Sequence, residues 1–410
     1  MNGKDNHKGF WTLRYTLLNS TYFIAFCTVH AYAAVYLLAN GFSNTEVGVL
    51  LAVANIVSAI FQPLIAGVID RPGPLTNRRF ILISVTVILA GSLILKFIPC
   101  GKVSIFIIYA IIYMIQFAYQ PVMTALCFEY QKAGCNIFYG LARGLGSASF
   151  AVTAAIIGGI VEQKGEDILL IVNMITMIIS ALLILTFRLP ESADSNNNTD
   201  ERISDDTSED IHNSLSSFAR AYPRFMLFLI ASVCFYFAHN MINDFMIQII
   251  RSLGGGETEL GYANFLQAIL ELPVMALIGI VIKKISSDKL LVISGTAFFI
   301  KILILVFTTN MAMMYLSQSF QILAYAVYIP AAAYYVNSHI GEHDQVKGQA
   351  YVTSAITIGG VFSNLISGVI LDNIGIKAML ITGTVVCAVG VVIVSFAFAD
   401  KGKRDKQYDM

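Results

Sequence analysis

Twelve hydrophobic segments account for most of this 410-residue chain. Charged residues, Gly or Pro bound them, and they lie at residues 12–38, 46–69, 79–99, 103–130, 138–162, 167–187, 223–250, 258–282, 290–309, 311–337, 349–371 and 377–399. A helix needs about 20 apolar residues to cross the hydrocarbon core of a bilayer. Because 57 % of the residues are hydrophobic and 13 % are charged, the composition predicts a polytopic membrane protein and excludes a water-soluble globule.

The positive charges predict the orientation of the chain. With the N-terminus inside the cell, nineteen of the 26 Lys and Arg residues fall in inner loops and tails, as the positive-inside rule expects. We therefore predict a multi-pass protein of the cell membrane (plasma or inner) with both termini cytoplasmic. The formal net charge is +0, so the chain has no excess of positive charge to attract a polyanion, and we expect no nucleic-acid partner.

Two short motifs recur about 210 residues apart. Thr45-Glu46-Val47-Gly48 opens the second segment and Thr258-Glu259-Leu260-Gly261 opens the eighth. Gly158-x-x-x-Glu162-x-x-Gly165 closes the fifth segment and Gly368-x-x-x-Asp372-x-x-Gly375 closes the eleventh. Matching motifs at matching positions indicate a duplication. The sequence thus predicts an all-α membrane protein with two pseudo-symmetric six-helix bundles.

The predicted bundles comprise residues 1–187 and 223–400, followed by a cytoplasmic tail at 401–410. Between them, residues 188–222 are rich in Asn and acidic residues, a composition that cannot bury a core. We interpret this segment as a cytoplasmic linker. Two six-helix repeats with a long inner connection are typical of secondary transporters, whose binding site lies between the halves.

One loop motif resembles a known family signature. Gly67-x-x-Asp70-Arg71-x-Gly73, followed by Arg78-Arg79, is similar to the loop between the second and third helices of the major facilitator superfamily. The resemblance implies the major facilitator fold and alternating access. It also leads us to assign Gly67, Asp70 and Arg71 to a gate, with Asp70 approaching the positive N-terminal end of the eleventh helix. A surface loop acid is the alternative for Asp70.

Within the superfamily, the chain most resembles the lactose permease group of proton-coupled sugar symporters. Counterparts of that group's motifs are Phe61-Gln62-Pro63-Leu64, Tyr139-Gly140-x-Ala142-Arg143, Gly261-Tyr262, and Gly295-Thr296 with Lys301. The resemblance implies that Arg143 contacts the sugar. Two features differ: the helix-ten histidine and glutamate have no counterpart here, and Phe150 stands where that group has a tryptophan.

Few ionisable residues lie within the segments, and such residues usually mark a transport pathway. Glu271 shares one helical face with Asn264 and Gln267. A glutamate that is exposed and shielded in turn can take up and release a proton. We assign proton coupling to Glu271, with Lys301 as the matching cation and Asp244 as a second candidate. A permanently paired structural glutamate is the alternative.

A second group of residues is predicted to bind substrate. Arg143, Ser147 and Phe150 form one helical stripe, with guanidinium donors beside an aromatic ring. Amides and a phenol complete the predicted lining: Asn240, Asn243, Asn264, Gln267, Gln120 and Tyr328. The alternatives are snorkelling of Arg143 to the cytoplasm and helix-to-helix hydrogen bonding by the amides.

These features predict an alternating-access symporter, active as a monomer, that imports a small polar organic solute with a proton. A sugar or glycoside is the expected substrate, and a nucleoside, an aromatic acid or drug export are alternatives on the same fold. A receptor or channel is the alternative of another class. We expect no enzyme activity and no cofactor besides the proton gradient, since the chain has no GxxxxGK[ST] or HExxH motif. The six scattered cysteines, without CxxC, indicate no metal site.

Overall fold

The computed structural model describes residues 6–69, 73–188 and 215–399, and within these ranges the regular elements are helices. Each of the twelve predicted segments coincides with one of them. We number them α1 (two pieces, Asn6–Phe26 and Ala33–Ala39), α2 (Asn44–Ile69), α3 (Asn77–Phe97), α4 (Lys102–Lys132), α5 (Tyr139–Lys164), α6 (Asp167–Leu185), α7 (Pro223–Asp244 and Met246–Ser252), α8 (Glu257–Val281), α9 (Ser287–Val306), α10 (Met311–Ser319 and Tyr325–His339), α11 (Gln345–Asn373) and α12 (Ile376–Phe398).

The helices have the length and composition of membrane spans. Among the described residues, ten are long and apolar enough to cross a bilayer, and the two pieces of α1 together form an eleventh span with a bend of 49°. The remaining helix, α8, has 25 residues. The prediction of an all-α membrane protein is therefore confirmed.

Two helix crossings join the N-terminal half (α1–α6) to the C-terminal half (α7–α12). α5 packs on α8, and α2 packs on α11, while α3 with α6 and α9 with α12 pack within their own halves. The crossings relate the halves as a pseudo-symmetric pair, as the sequence repeat predicts. Any site shared by the halves is bounded by these four helices.

Each half begins with a broken helix. α1 is interrupted after the π-helical turn Cys27–Ala31 at Tyr32, whose φ and ψ are −111° and 15°. α7 is interrupted at Phe245, with φ and ψ of −114° and 24°. No proline lies at either break, so the packing of neighbouring helices, and not a missing backbone N–H group, accounts for the interrupted helical hydrogen bonds. An aromatic residue occupies both positions.

The packing of the C-terminal half starts before residue 223. A short helix, Leu215–Ala221, lies inside the segment that we predict as linker. Its Phe218 is fully buried, with its ring centroid 4.8 Å from that of Tyr222 and 4.9 Å from that of Tyr351. The part of the linker at 189–214 lies outside the described residues, as does the predicted tail at 401–410.

Candidate substrate cavity and gate

Four glycines hold the two halves together at one end of the bundle, where α2 and α8 begin and α5 and α11 end. We call this the closed end. At Gly48 and Gly158 an added Cβ would lie 2.1 Å from a backbone carbonyl oxygen, that of Asn364 and that of Glu257 respectively. At Gly261 it would lie 2.3 Å from the Ala154 carbonyl oxygen, and at Gly368 it would lie 2.4 Å from the Asn44 carbonyl oxygen. Each of these oxygens belongs to the opposite half. No side chain larger than hydrogen fits at these positions without moving the helices apart.

A carboxylate caps each crossing. Asp372, at the end of α11, accepts hydrogen bonds from the backbone N–H groups of Asn44 (3.1 Å) and Thr45 (2.7 Å) and from the Asn44 side-chain amide (2.9 Å). These groups belong to the N-terminal end of α2, where unpaired N–H groups and the helix dipole favour an anion. At the other crossing, the Thr258 hydroxyl donates to the Glu162 carboxylate.

The glycines and carboxylates are the motif residues of the sequence repeat. Each copy of one motif meets a copy of the other from the opposite half. We name the contact of Gly48, Gly368 and Asp372 the α2–α11 clasp, and the contact of Gly158, Gly261 and Glu162 the α5–α8 clasp. The sequence reveals the duplication, but only the fold shows that the motifs form one interface.

The broken helices add an aromatic ring to each clasp. The Tyr32 hydroxyl lies 2.9 Å and 3.0 Å from the Cβ positions of Gly158 and Gly261, and it donates to the Ala154 carbonyl at 3.3 Å. The Phe245 ring lies 3.5 Å from the Cβ position of Gly48. The breaks in α1 and α7 therefore lie directly against the interface between the halves.

At the opposite end the halves separate. No described atom lies within 4 Å of the Cβ positions of Gly67, Gly140 or Gly144. Between the two ends, an apolar cleft of about 380 Å³ lies between the middle parts of α2 and α11, with Ile60 and Ile358 among its lining residues. Of the predicted gate, Gly67 is exposed and has no neighbour, and Asp70 and Arg71 lie outside the described residues.

A chain of three polar side chains lies in the C-terminal half. The Lys301 ammonium donates to Gln321 Oε1 at 2.8 Å, and Gln321 Nε2 donates to Glu271 Oε1 at 2.9 Å. Lys301 is fully buried and Glu271 is half-buried. The predicted pair of Lys301 and Glu271 is thus bridged by the Gln321 amide, which lies at the break between the two pieces of α10.

Arg143 faces this chain from the N-terminal half. Its guanidinium lies 4.4 Å from the centroid of the Phe23 ring and donates to the Ser147 hydroxyl at 3.1 Å. The guanidinium also lies within electrostatic range of Glu271 of the C-terminal half. Arg143 is half-buried, which agrees with a position at a cavity wall.

The other predicted binding residues lie at different depths. Asn240, Asn243, Asn264, Gln120 and Phe150 are half-buried. Asn243 pairs with His239 Nε2 at 2.9 Å, and Gln267 Nε2 donates weakly to Met246 Sδ at 3.9 Å. Tyr328 is fully buried in this conformation, and its hydroxyl bonds to Ser232 Oγ of α7 at 2.6 Å, so its part in binding substrate stays a prediction.

Aromatic residues surround a histidine in each half. The His30 ring lies 4.0 Å from the Phe26 ring and 3.8 Å from the Tyr113 ring, measured between centroids. The His239 ring stacks on Tyr325 at 5.1 Å. The partner rings come from α1 and α4 for His30 and from α10 for His239.

The model of the family described as MFS_1-like matches residues 12–398. No curated protein matches the chain in sequence. The nucleoside transporter NupG, solved as an aspartate-to-alanine variant, is similar in structure with a TM-score of 0.79 and 14 % identity, covering 94 % of this chain and 99 % of that one.

Two further solved structures share the fold. A D-xylose-proton symporter matches with a TM-score of 0.69 and 15 % identity, covering 94 % of this chain and 95 % of that chain. A bacterial homologue of the human lysosomal transporter Spinster, in an inward-facing and unoccupied conformation, matches with a TM-score of 0.67 and 12 % identity over 96 % of this chain and 98 % of that one. At these identities the likeness shows the fold alone, and the finer resemblance to the lactose permease group stays a prediction.

Proposed function

This chain belongs to the MFS_1-like family of major facilitator transporters, which are not enzymes, and we propose that it imports a small polar organic solute together with a proton by alternating access. The observation that carries this proposal is the chain Lys301–Gln321–Glu271, which faces Arg143 across the two halves. A proton gradient is the proposed driving force.

Glu271 is suited to exchange a proton with the cavity. An ammonium group has three donors and no acceptor, so Lys301 requires the oxygen of the Gln321 amide to point toward it. The amide nitrogen must then face Glu271. Glu271 consequently has a fixed donor on one side, and its second oxygen is left for a proton or for substrate. A carboxyl group at this depth is costly to ionise without hydrogen-bond or charged partners. Substrate bound beside Glu271 therefore changes how readily Glu271 releases its proton.

The clasps provide the alternating gate in this proposal. With the predicted orientation, the closed end faces outward, and the opposite end, where Gly67, Gly140 and Gly144 have no described atom within 4 Å of their Cβ positions, faces inward. Import requires both clasps to part, since their backbone contacts leave no passage. Binding shifts the equilibrium only if solute and proton interact differently with the two states. Arg143 and Glu271 meet that condition because they stand on opposite halves.

A sugar or glycoside is the substrate that we propose first. Half-buried amides of Asn240, Asn243 and Asn264 offer donors and acceptors to hydroxyl groups. The Phe150 ring, 6.3 Å from that of Phe26, offers an apolar face for a pyranose ring. The D-xylose-proton symporter of the same fold supports this choice.

A nucleoside is the second candidate, and the aromatic groups around the two histidines favour it. Flat bases stack on aromatic rings, and next to Phe150 the Phe26 ring stacks on His30, which also contacts the tilted ring of Tyr113. The similarity of the fold to the nucleoside transporter NupG supports this candidate.

Reconstituted liposomes test the proposal. We expect saturable counterflow of a labelled sugar or nucleoside and uphill uptake driven by an inward proton gradient. Glu271→Gln should keep counterflow but abolish uphill accumulation, because the amide mimics a carboxyl that never releases its proton. Glu166→Gln, in the turn before α6, is the matched control and should behave as the unmodified protein. Non-saturating flux would indicate a channel, and undiminished uphill uptake by Glu271→Gln would refute the assigned role.

A further inference from the structure

Asp244 is a half-buried acid that the proposed proton pathway does not use. It is the last residue of the first piece of α7, directly before the break at Phe245. Within the described residues, no Lys, Arg or His nitrogen forms an ion pair with it within 4.0 Å. Lys301 and Arg143 bond to Gln321 and Ser147 instead. A carboxylate at this depth needs a neutralising partner.

Uncharged polar groups of α11 face the same place. Gly48 contacts both the Phe245 ring and the Asn364 carbonyl, which brings the break in α7 beside Asn364. One turn earlier on both helices, the Cβ position of Gly360 lies 2.8 Å from the Asn240 amide nitrogen, which places Asn364 of α11 beside Asp244 of α7. Tyr113 of the other half also lies within electrostatic range of Asp244. Asn364 is fully buried, yet neither Oδ1 nor Nδ2 completes a hydrogen bond within 3.5 Å.

Two hydroxyl groups near Asn364 are also left without partners. Ser363 and Ser367 are fully buried, and neither Oγ atom has a hydrogen-bond partner among the described residues. They lie one and two turns after Gly359, whose Cβ position is 2.7 Å from the Val233 carbonyl of α7. This helical face of α11 is therefore turned toward α7. Buried polar atoms are nearly always paired, so this group of unpaired oxygens indicates a ligand.

We propose that Asp244 and Asn364, with the C-terminal end of the first piece of α7, hold a sodium ion. The end of a half-helix carries partial negative charge and free carbonyl oxygens, and broken helices in transporters use such ends to coordinate small cations. Carboxylate, amide and carbonyl oxygens are the ligands of hard cations. One carboxylate neutralises one monovalent charge. No group of three or more His, Cys, Asp or Glu residues suited to a metal ion occurs in the described part of the chain.

The N-terminal half lacks the site. Ala31 precedes the helix break of the N-terminal half and so corresponds to Asp244. Ala154 lies four positions before Gly158, just as Asn364 lies four positions before Gly368, and so corresponds to Asn364. The two halves share the break and the clasp but not the oxygen ligands. The sodium site is thus an addition to one copy of the repeat. It ties α7 to α11 beside the α2–α11 clasp and is separate from the proton pathway at Glu271.

The test measures binding of radioactive ²²Na⁺ to the purified full-length protein, with choline replacing sodium to hold the ionic strength. We expect saturable binding that excess unlabelled Na⁺ displaces and equal K⁺ does not. Asp244→Asn should abolish binding, and Asn364→Leu should weaken it by about tenfold or more. Glu271→Gln should bind sodium as the unmodified protein does, so failure of the proton proposal leaves this result unaffected.

Three outcomes would overturn the sodium site. The first is a lack of saturable ²²Na⁺ binding by the unmodified protein, which needs no variant. The second is undiminished binding by folded Asp244→Asn or Asn364→Leu. The third is competition by protons or K⁺ as effective as by Na⁺, which would assign Asp244 to proton uptake or to a nonselective anionic site.

Discussion

The α2–α11 and α5–α8 clasps have the same glycine contacts but close them with different polar groups. In the first, Asp372 accepts from two backbone N–H groups of α2, so the donors do not depend on side-chain identity. In the second, Glu162 relies on the Thr258 hydroxyl, and the Tyr32 hydroxyl adds a bond to the Ala154 carbonyl. Phe245, the counterpart of Tyr32, has no hydroxyl. The duplication preserved the backbone contact, and the side chains around it diverged.

The largest effect is expected from filling a glycine contact. Gly158→Val places atoms where the Glu257 carbonyl oxygen lies 2.1 Å from the Cβ position. Overpacking of this kind costs about 1–3 kcal/mol or more, which favours the separated state by about fivefold or more. Uphill transport should be lost, and cysteine probes at the closed end should react faster. Gly279→Val in α8 is the matched control, since Gly279 is exposed and no described atom lies within 4 Å of its Cβ position. Equal transport by both variants would contradict the clasp.

A smaller effect is expected from the carboxylates, and it separates the two clasps. Asp372→Ala removes three hydrogen bonds and Glu162→Ala removes one. Both side chains are exposed, so solvent weakens each contribution. We expect faster hydrogen exchange at the Asn44 and Thr45 amides in Asp372→Ala by several-fold, and little change there in Glu162→Ala. Faster exchange at these amides in Glu162→Ala than in Asp372→Ala would show that the hydrogen bonds from the backbone to Asp372 are not the stronger contact.

The smallest effect is expected from Tyr32→Phe, which makes the α5–α8 clasp like its counterpart at Phe245. The variant loses one buried hydrogen bond to the Ala154 carbonyl. Such a bond contributes about 0.5–1.5 kcal/mol. A modest fall in the thermal midpoint with transport retained is the expected result. Tyr36→Phe, a buried tyrosine outside both clasps, serves as the control. A complete loss of transport in Tyr32→Phe would indicate a role beyond packing.

Parts of the candidate site were within reach of the sequence. Hydrophobic length located all twelve helices, and the charge in each helix singled out Glu271, Lys301 and Arg143. The Gln321 bridge was not predictable, because α10 is broken between Ser319 and Tyr325 and helical periodicity does not carry across the break. The burial of Tyr328 against Ser232 was not predictable for a related reason: residue spacing shows which face of a helix a side chain occupies, but not which neighbouring helix covers that face.

The sequence by itself determined that the chain crosses a membrane many times and consists of two related halves, since hydropathy and repeated motifs are local properties. Only the tertiary structure decided that the repeated motifs meet crosswise and that an amide lies between Lys301 and Glu271. It also decided that Asp244 faces Asn364. These contacts join residues that are distant along the chain, and their geometry follows from how whole helices pack, which no single segment encodes.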